Sequence, residues 1–322
     1  WDPVAGVMVQ FVWLDPSAES GQSGRLIVAA HHLVVDVLSW RILVTDLVTA
    51  WAQRVGGRAV ELAPPVTSFR RWMHALVEVA RSPERRAEVE LWRRITGTPD
   101  PYLGARAFDP ALDLVSSVRR VSVQVSESDT RVLLTTAPSV FGCQVIDVLL
   151  SGLAVAVVRW RAARGVEEAS TLVRLEAHGR EEHIVPGADL TRTVGWFSSP
   201  HPVRLDLTGI DVAAVLEGGR AAGAVVAATR AQLLEIPDNG IGYPLLRHYN
   251  AATAPDFRGP VPGQILFNYL GRVSAADAPA ELSGSAWLPA AAGGHLEPPI
   301  DPDAPASAAV AIRAVVIGER LA

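Results

Sequence analysis

Lysine is absent from this chain of 322 residues, so all 29 of its Lys/Arg positions are arginine. Asparagine occurs three times and cysteine once. The single Cys143 excludes an internal disulfide and a cysteine-based metal cluster, and free cysteine packs as a small hydrophobe, so a buried thiol near a helix start is expected. No uninterrupted apolar run reaches the ~18 residues of a membrane span. The opening Trp1-Asp2-Pro3 is not the basic-then-apolar start of a signal peptide. A cytoplasmic protein with no membrane partner is therefore expected. The charges, 29 basic against 34 acidic for a net of −5, are scattered along the chain. Nucleic-acid binders gather positive charge on one face, which excludes that class.

What is present is apolar and biased. Hydrophobic residues make up 49% of the chain, ample for a packed core in one large or two ordinary domains. Heavy use of Ala, Val, Arg and Gly is what a GC-rich coding sequence gives, so residues whose codons run against that bias are those held by physical need. Asn239, Asn250 and Asn268, with Tyr243, Tyr249 and Tyr269, fall within one stretch of thirty-one residues, 239–269. That stretch is a candidate for function or tight constraint.

Apolar alternation predicts strands at Val7–Leu14 and Arg25–His31, joined by a Ser/Gly-rich loop at 15–24. Helical spacing of Ile42, Leu43, Leu47 and Trp51 predicts a helix over Leu38–Gln53, closed by Gly56-Gly57. Further helices are expected at Ser68–Val79 and Ser82–Ile95, the second with Ser82 as N-cap and Pro83 at its first position. A Pro/Gly/Asp-rich loop over 96–114 is the best boundary. Beyond it come a strand at Val118–Val125, a short helix at Ser128–Thr136 and a long apolar helix at Gln144–Ala162. Strands at Ser170–Leu175 and Thr193–Leu205, helices near Asp211–Leu234 and Tyr243–Tyr249, and strands at Gln264–Tyr269 and Ala308–Ile317 complete the pattern, with a loop over 274–306. The mixture is α/β or α+β.

His31-His32 with Asp36 carries the first chemistry. Adjacent imidazoles at a strand end point in opposite directions, so one of them faces a given cavity, and a carboxylate four residues on braces the turn. That suits one catalytic histidine; a structural histidine is the plainer reading. Zinc would want ligands spaced along one helix face, as in H-E-x-x-H.

The neighbouring residues sharpen this. His31-His32-Leu33-Val34-Val35-Asp36-Val37-Leu38-Ser39-Trp40 resembles the HHxxxDxxSW signature of epimerization domains in nonribosomal peptide synthetases, relatives of condensation domains and of chloramphenicol acetyltransferase. Condensation domains carry Trp before Ser here. Glu176-Ala177-His178-Gly179-Arg180-Glu181 is similar to the family's EGHGRE segment, and Arg192 through Ser198 with Pro202-Val203 to RTVGWFT…PV. Gly240-Ile241-Gly242-Tyr243 and Ile265 through Gly271, containing FNYLG, are similar to the last two. All five stretches follow the family's order.

The resemblance implies two chloramphenicol acetyltransferase-like lobes, residues 1–116 and 117–322, with the N-terminal lobe incomplete and a tunnel between them. It implies inversion of the Cα of an aminoacyl or peptidyl thioester carried on the 4'-phosphopantetheine arm of a carrier domain, with no cofactor bound by the domain itself. The partners it implies are a peptidyl carrier domain and neighbouring synthetase domains. His32 and Glu176 are then the acid/base pair on opposite faces of the Cα, since a histidine near ~6.5 and a glutamate in a partly dry tunnel can both be brought toward neutral pH. Asp36 is a brace, with Arg180 or Arg192 as ion-pair partner. His31, Ser39, Trp40, His178 and Trp196 support the site, and Asn268 and Tyr269 offer an amide and a phenol to the enolate oxygen or the substrate. Condensation with His32 as base, and a non-catalytic recruiting role, are the alternatives. Three departures stand out: Val37 and Ala177, where Gly is usual, and Pro244 in place of a second Gly. A β-branched Val37 excludes a positive φ at that point.

Overall fold

A computed structural model describes residues 2–16, 24–273 and 300–322. Most of the expected loops at 15–24 and 274–306 lies outside the described residues. The chain forms two compact units. One holds the chain up to Ala75 together with Glu182–Ser198; the other holds Leu76–Glu181, 199–273 and 300–322.

Hydrogen bonds hold the start of the Pro/Gly-rich loop to the second unit. Asp100 accepts from Arg161 Nη2 (2.7 Å) and from the Gln264 backbone N–H (3.2 Å). The Gln264 side chain then donates to the carbonyls of Asp100 and Pro101, both at 3.1 Å, and accepts from Leu103 N–H at 3.0 Å. A loop so tied stays with the sheet it touches.

In the first unit, β1 (Val9–Leu14) and β2 (Arg25–Ala30) pair antiparallel from Val9↔Ala30 to Leu14↔Arg25. After the His31-His32 turn, helix α1 runs over Val37–Val55, with Asp36 as its N-cap and Gly56 as its C-cap. Helix α2 follows at Phe69–Val79.

The second unit is built on a five-stranded mixed sheet. Its members are β3 (Ser170–Ala177), β4 (Ser199–Asp206), β5 (Ile265–Val273), β6 (Val310–Ile317) and β7 (Arg320–Leu321), in the order β4-β3-β5-β6-β7. The β3–β5 and β5–β6 pairs are parallel, and the outer pairs antiparallel. One face packs on α7 (Val145–Ala162) and α9 (Gly219–Leu234), burying Leu150, Ala154, Val173, Leu205, Val225 and Phe267. The N-terminus of α7 is closed by a capping box in which Gln144 N–H donates to Asp147 at 2.8 Å. No single helix among the described residues is long and apolar enough to cross a membrane.

Several boundaries moved for identifiable reasons. Residues 118–125 are not a strand: Val118, Val121 and Val123 are exposed, and Val125 N–H donates to Leu321 O at 2.8 Å as the segment's one ladder-like bond among the described residues. Alternation alone does not make a strand without a neighbouring edge. The expected Asp211–Leu234 helix is two, α8 (Val212–Val215) and α9, because Gly218, the N-cap of α9, and Gly219, its first residue, take φ of +82° and +66°. The expected Ser82–Ile95 helix divides at Glu88 into α3 (Pro83–Ala87) and α4 (Val89–Thr96), while Ser82 caps α3 as expected, accepting from Arg85 N–H. Cys143 precedes the α7 cap and is half-buried.

The break at Glu88 has a use. Its buried carboxylate accepts from Arg85 Nη1 (2.5 Å) and Trp92 Nε1 (2.9 Å), and burial pushes its pKa up. Arg85 also pairs with Asp238. Gly242, which opens α10 (Gly242–Pro244), lies against this group: a Cβ there would meet Glu88 Oε2 at 1.8 Å. Gly242→Ala is therefore expected to destabilise the protein by about 1–3 kcal/mol, the cost of overpacking a filled site. Urea unfolding of the variant beside the parent checks this, and an unchanged midpoint would refute it.

Candidate active site

Two motifs of the first unit are locked together. Asp36 is buried, and its Oδ1 accepts from Ser39 N–H at 2.7 Å while Oδ2 accepts from Phe197 N–H at 3.3 Å. Ser39, fully buried, donates its hydroxyl to Gly195 O at 2.9 Å and accepts from Gly195 N–H at 3.1 Å. A serine is thus required at the third position of α1, where its Oγ meets both backbone groups of Gly195. Gly195 must in turn be glycine, since a Cβ would come within 2.4 Å of the Phe69 ring. Phe69 packs edge-on against Phe197 at 5.1 Å between ring centroids. The neighbouring Thr193 hydroxyl donates to Thr67 O at 2.6 Å. This lacing, rather than sheet pairing, holds 193–198, so β4 begins only at Ser199 and not at Thr193.

The histidines sit in the turn just before that clasp. His31 is half-buried and its Nδ1 accepts from Leu33 N–H at 3.1 Å, which fixes the turn. His32 is exposed, with its ring tilted 52° against Trp196 at 5.2 Å. Trp196, 43% exposed, is therefore the wall beside His32 and not core. Trp40 is half-buried on α1. Arg192 does not brace Asp36: it donates to both oxygens of Asp46, at 2.8 and 2.9 Å, and to Ala63 O at 2.9 Å. Val37 is the first helical residue, with a 56% exposed side chain and no positive φ, so valine replaces glycine there without strain.

The second unit holds the other candidates. Parallel pairing of β3 with β5 runs through Leu175↔Phe267, so Glu176 and Asn268 come side by side, and Asn268 Nδ2 donates to Glu176 Oε2 at 2.7 Å. Strand alternation then sends Tyr269 to the other face, where it packs with the core that contains Phe267. Asn268 and Tyr269 consequently do not address one small group together. His178 is exposed, accepts from Arg180 N–H at 3.0 Å, and lies 3.6 Å from buried Glu181, which accepts from Asn239 at 2.9 Å. Its place is in the turn after β3.

Glu176, Ala177 and Tyr269 line a cavity of about 650 Å³ at the C-terminal ends of β3 and β5, walled by Ile146 of α7 and by Leu233 and Ile236 at the end of α9. His201 also lines it, a residue that no motif in the sequence singled out. It is buried beside Trp92, and its Nδ1 has no hydrogen-bond partner among the described residues. A signal existed: Gly240 of the Gly-Ile-Gly-Tyr motif, at φ +79°, would place a Cβ 2.2 Å from the His201 ring. No group of three or more His, Cys, Asp or Glu among the described residues could hold a metal ion.

A family model described as Condensation domain matches residues 18–285. The chain belongs to the condensation-domain family. A linear gramicidin synthase of Brevibacillus parabrevis is 37% identical over 88% of this chain and 4% of that protein. Tyrocidine synthase 1 of the same organism is 33% identical over 78% of this chain and 22% of that protein. The chain thus spans a small part of these curated relatives. Among solved structures, the epimerization domain from the third module of tyrocidine synthetase B superposes with a TM-score of 0.74 at 27% identity, over 98% of this chain and 65% of that one. The first condensation domain of the CDA synthetase gives 0.51 at 22% identity, over 82% and 51% respectively, a likeness of fold. The expected α/β fold of the chloramphenicol acetyltransferase type stands.

Burial holds the His201 imidazole down to about 4, from 6.5. A depressed histidine adds stability that is complete above about 6.5 and is lost as pH falls toward about 4. The loss is at most about 3 kcal/mol. His201→Phe is expected to remove this component, so the difference in unfolding free energy between parent and variant should change across that window. A pH-independent difference would refute the assignment.

Proposed function

We propose that this condensation-family domain inverts the Cα of an aminoacyl or peptidyl thioester held on the phosphopantetheine arm of a carrier domain. The carrying observation is Glu176, whose carboxylate is oriented by the Asn268 amide at 2.7 Å. Breaking a Cα–H bond next to a thioester needs a positioned base and a second group to return a proton to the other face. His32 and Glu176 take these two roles; the proton leaving one face is matched by the proton delivered to the other, so nothing is consumed. Asn268, with one amide N–H committed to Glu176, acts chiefly as a positioning residue. The Ser39-Trp40 order and the likeness to a solved epimerization domain support the same reading. The lobes 1–116 and 117–322, the neighbouring synthetase domains as partners, and the absence of a cofactor held by the domain itself belong to this proposal.

Given an L-aminoacyl or peptidyl carrier thioester in deuterated water, the intact protein is expected to incorporate deuterium at Cα and yield the D-configured product. His32→Ala and Glu176→Gln should each slow exchange by about 10²-fold or more. Peptide extension between two loaded carriers without exchange would instead establish amide-bond formation with His32 as base. Neither reaction from the folded protein would leave a carrier-recruiting role.

A further inference from the structure

We propose that Asn239 is a positioning residue for the reacting carboxylate: its amide anchors Glu181 and so fixes the turn that leaves β3 directly after Glu176. The inference rests on the epimerization reading above and adds a residue to it. Glu176 stands near the end of its ladder, since the pairing of β3 with β5 is last registered at Leu175↔Phe267 and β3 itself ends at Ala177. The chain then turns through exposed His178 and Gly179, at φ +67°, and Glu181 is the first buried side chain after the strand. A strand end opens easily unless the next segment is tied down, and a carboxylate taken out of water needs hydrogen-bond donors. Glu181 Oε1 accepts from Asn239 Nδ2 at 2.9 Å, with His178 Nε2 at 3.6 Å. At the other end of the same six residues, Glu176 Oε2 accepts from Asn268 Nδ2 at 2.7 Å. Two of the chain's three asparagines thus hold the two ends of one motif.

Asn239 does this from an unfavourable backbone. Asp238 and Asn239 take φ of +46° and +49°, and among the described residues no other non-glycine residue has a positive φ. A Cβ is strained in that region, whereas glycine enters it freely. Such strain persists where the surroundings over-determine it, and here both side chains are engaged. Asp238 pairs with Arg85, which also binds Glu88, and Asn239 holds Glu181. Gly240 follows at φ +79°, where a Cβ would stand 2.2 Å from the ring of His201, the β4 residue opposite Leu175. The turn 238–240 is therefore pinned beside the β3–β4 ladder. Backbone ease alone would favour glycine at 239; the amide is what glycine lacks.

Asn239→Gly relieves the backbone and removes the amide, so what it loses is the anchor. In the intact protein, amide hydrogen exchange over 177–181, read by mass spectrometry, should quicken by about tenfold or more. With a saturating aminoacyl carrier thioester in deuterated water, the rate of deuterium entry at Cα should fall by about tenfold, while the half-saturating concentration changes by less than about twofold. Asn239→Asp sets two carboxylates face to face and should lose at least as much. Combined with Glu181→Gln, it trades amide and carboxylate between side chains of unchanged length, and both readouts should return to within about threefold of the parent. This exchanged pair carries the test if Asn239→Gly fails to fold. Unchanged protection of 177–181, unchanged Cα exchange, or no recovery in the exchanged pair overturns the proposal. A parent that exchanges no Cα proton overturns the epimerization reading instead, and amide protection in the same variants still decides whether Asn239 is the anchor.

Discussion

The geometry of the histidine motif depends on one buried carboxylate. Asp36 caps α1 through Ser39 N–H and reaches Phe197 N–H with its other oxygen, so it fixes both the start of a helix and a distant backbone segment. Hydrogen bonds to a charged acceptor contribute about 1.5–3 kcal/mol each, and burial makes either one costly to lose. The consequence reaches His32: the turn that carries it ends at Asp36, and the Trp196 ring against which it tilts lies between the two backbone positions that Ser39 and Asp36 hold. Asp36 therefore holds the turn and the wall that surround His32.

Ser39-Trp40 is accordingly more than a family mark. Asp36, as N-cap, needs the third helical residue to present a backbone N–H, which any residue other than proline supplies. The hydroxyl is what matters, since Ser39 alone links α1 to both backbone groups of Gly195. Shifting serine by one position would turn that hydroxyl about 100° around the helix and break both bonds. A serine three residues after the aspartate serves this clasp on whichever side of it the tryptophan stands, so the order of the two bears on Trp40 and not on the Gly195 contact.

Much of this was legible in the sequence because it rests on local rules. The Ser82 cap, the helix after the HH motif and the long apolar α7 follow from capping and periodicity. The codon argument also found real constraint: Asn239 bonds Glu181, Asn250 bonds Ala80 O, Asn268 bonds Glu176, and Tyr243 is buried. What escaped depends on partners far away in sequence. The alternation at 118–125 carries no record of whether an edge awaits it. The choice of Asp46 over Asp36 by Arg192 depends on how α1 is turned. His201, one histidine among eight, gains its character only from burial against Trp92 and Gly240.

The departures from the family pattern are resolved by the same geometry. A glycine after the motif aspartate suggests a backbone that other residues cannot follow, yet Val37 adopts ordinary helical angles at the first position of α1 and points its side chain outward. The Asp36 clasp makes that position an ordinary helix start, so the bulk of valine is borne by solvent. Pro244 likewise continues the short helix begun at Gly242. Ala177 differs, because it ends β3 opposite Ser199 and lines the cavity beside Glu176. Of the three departures, it is Ala177 that lines this cavity.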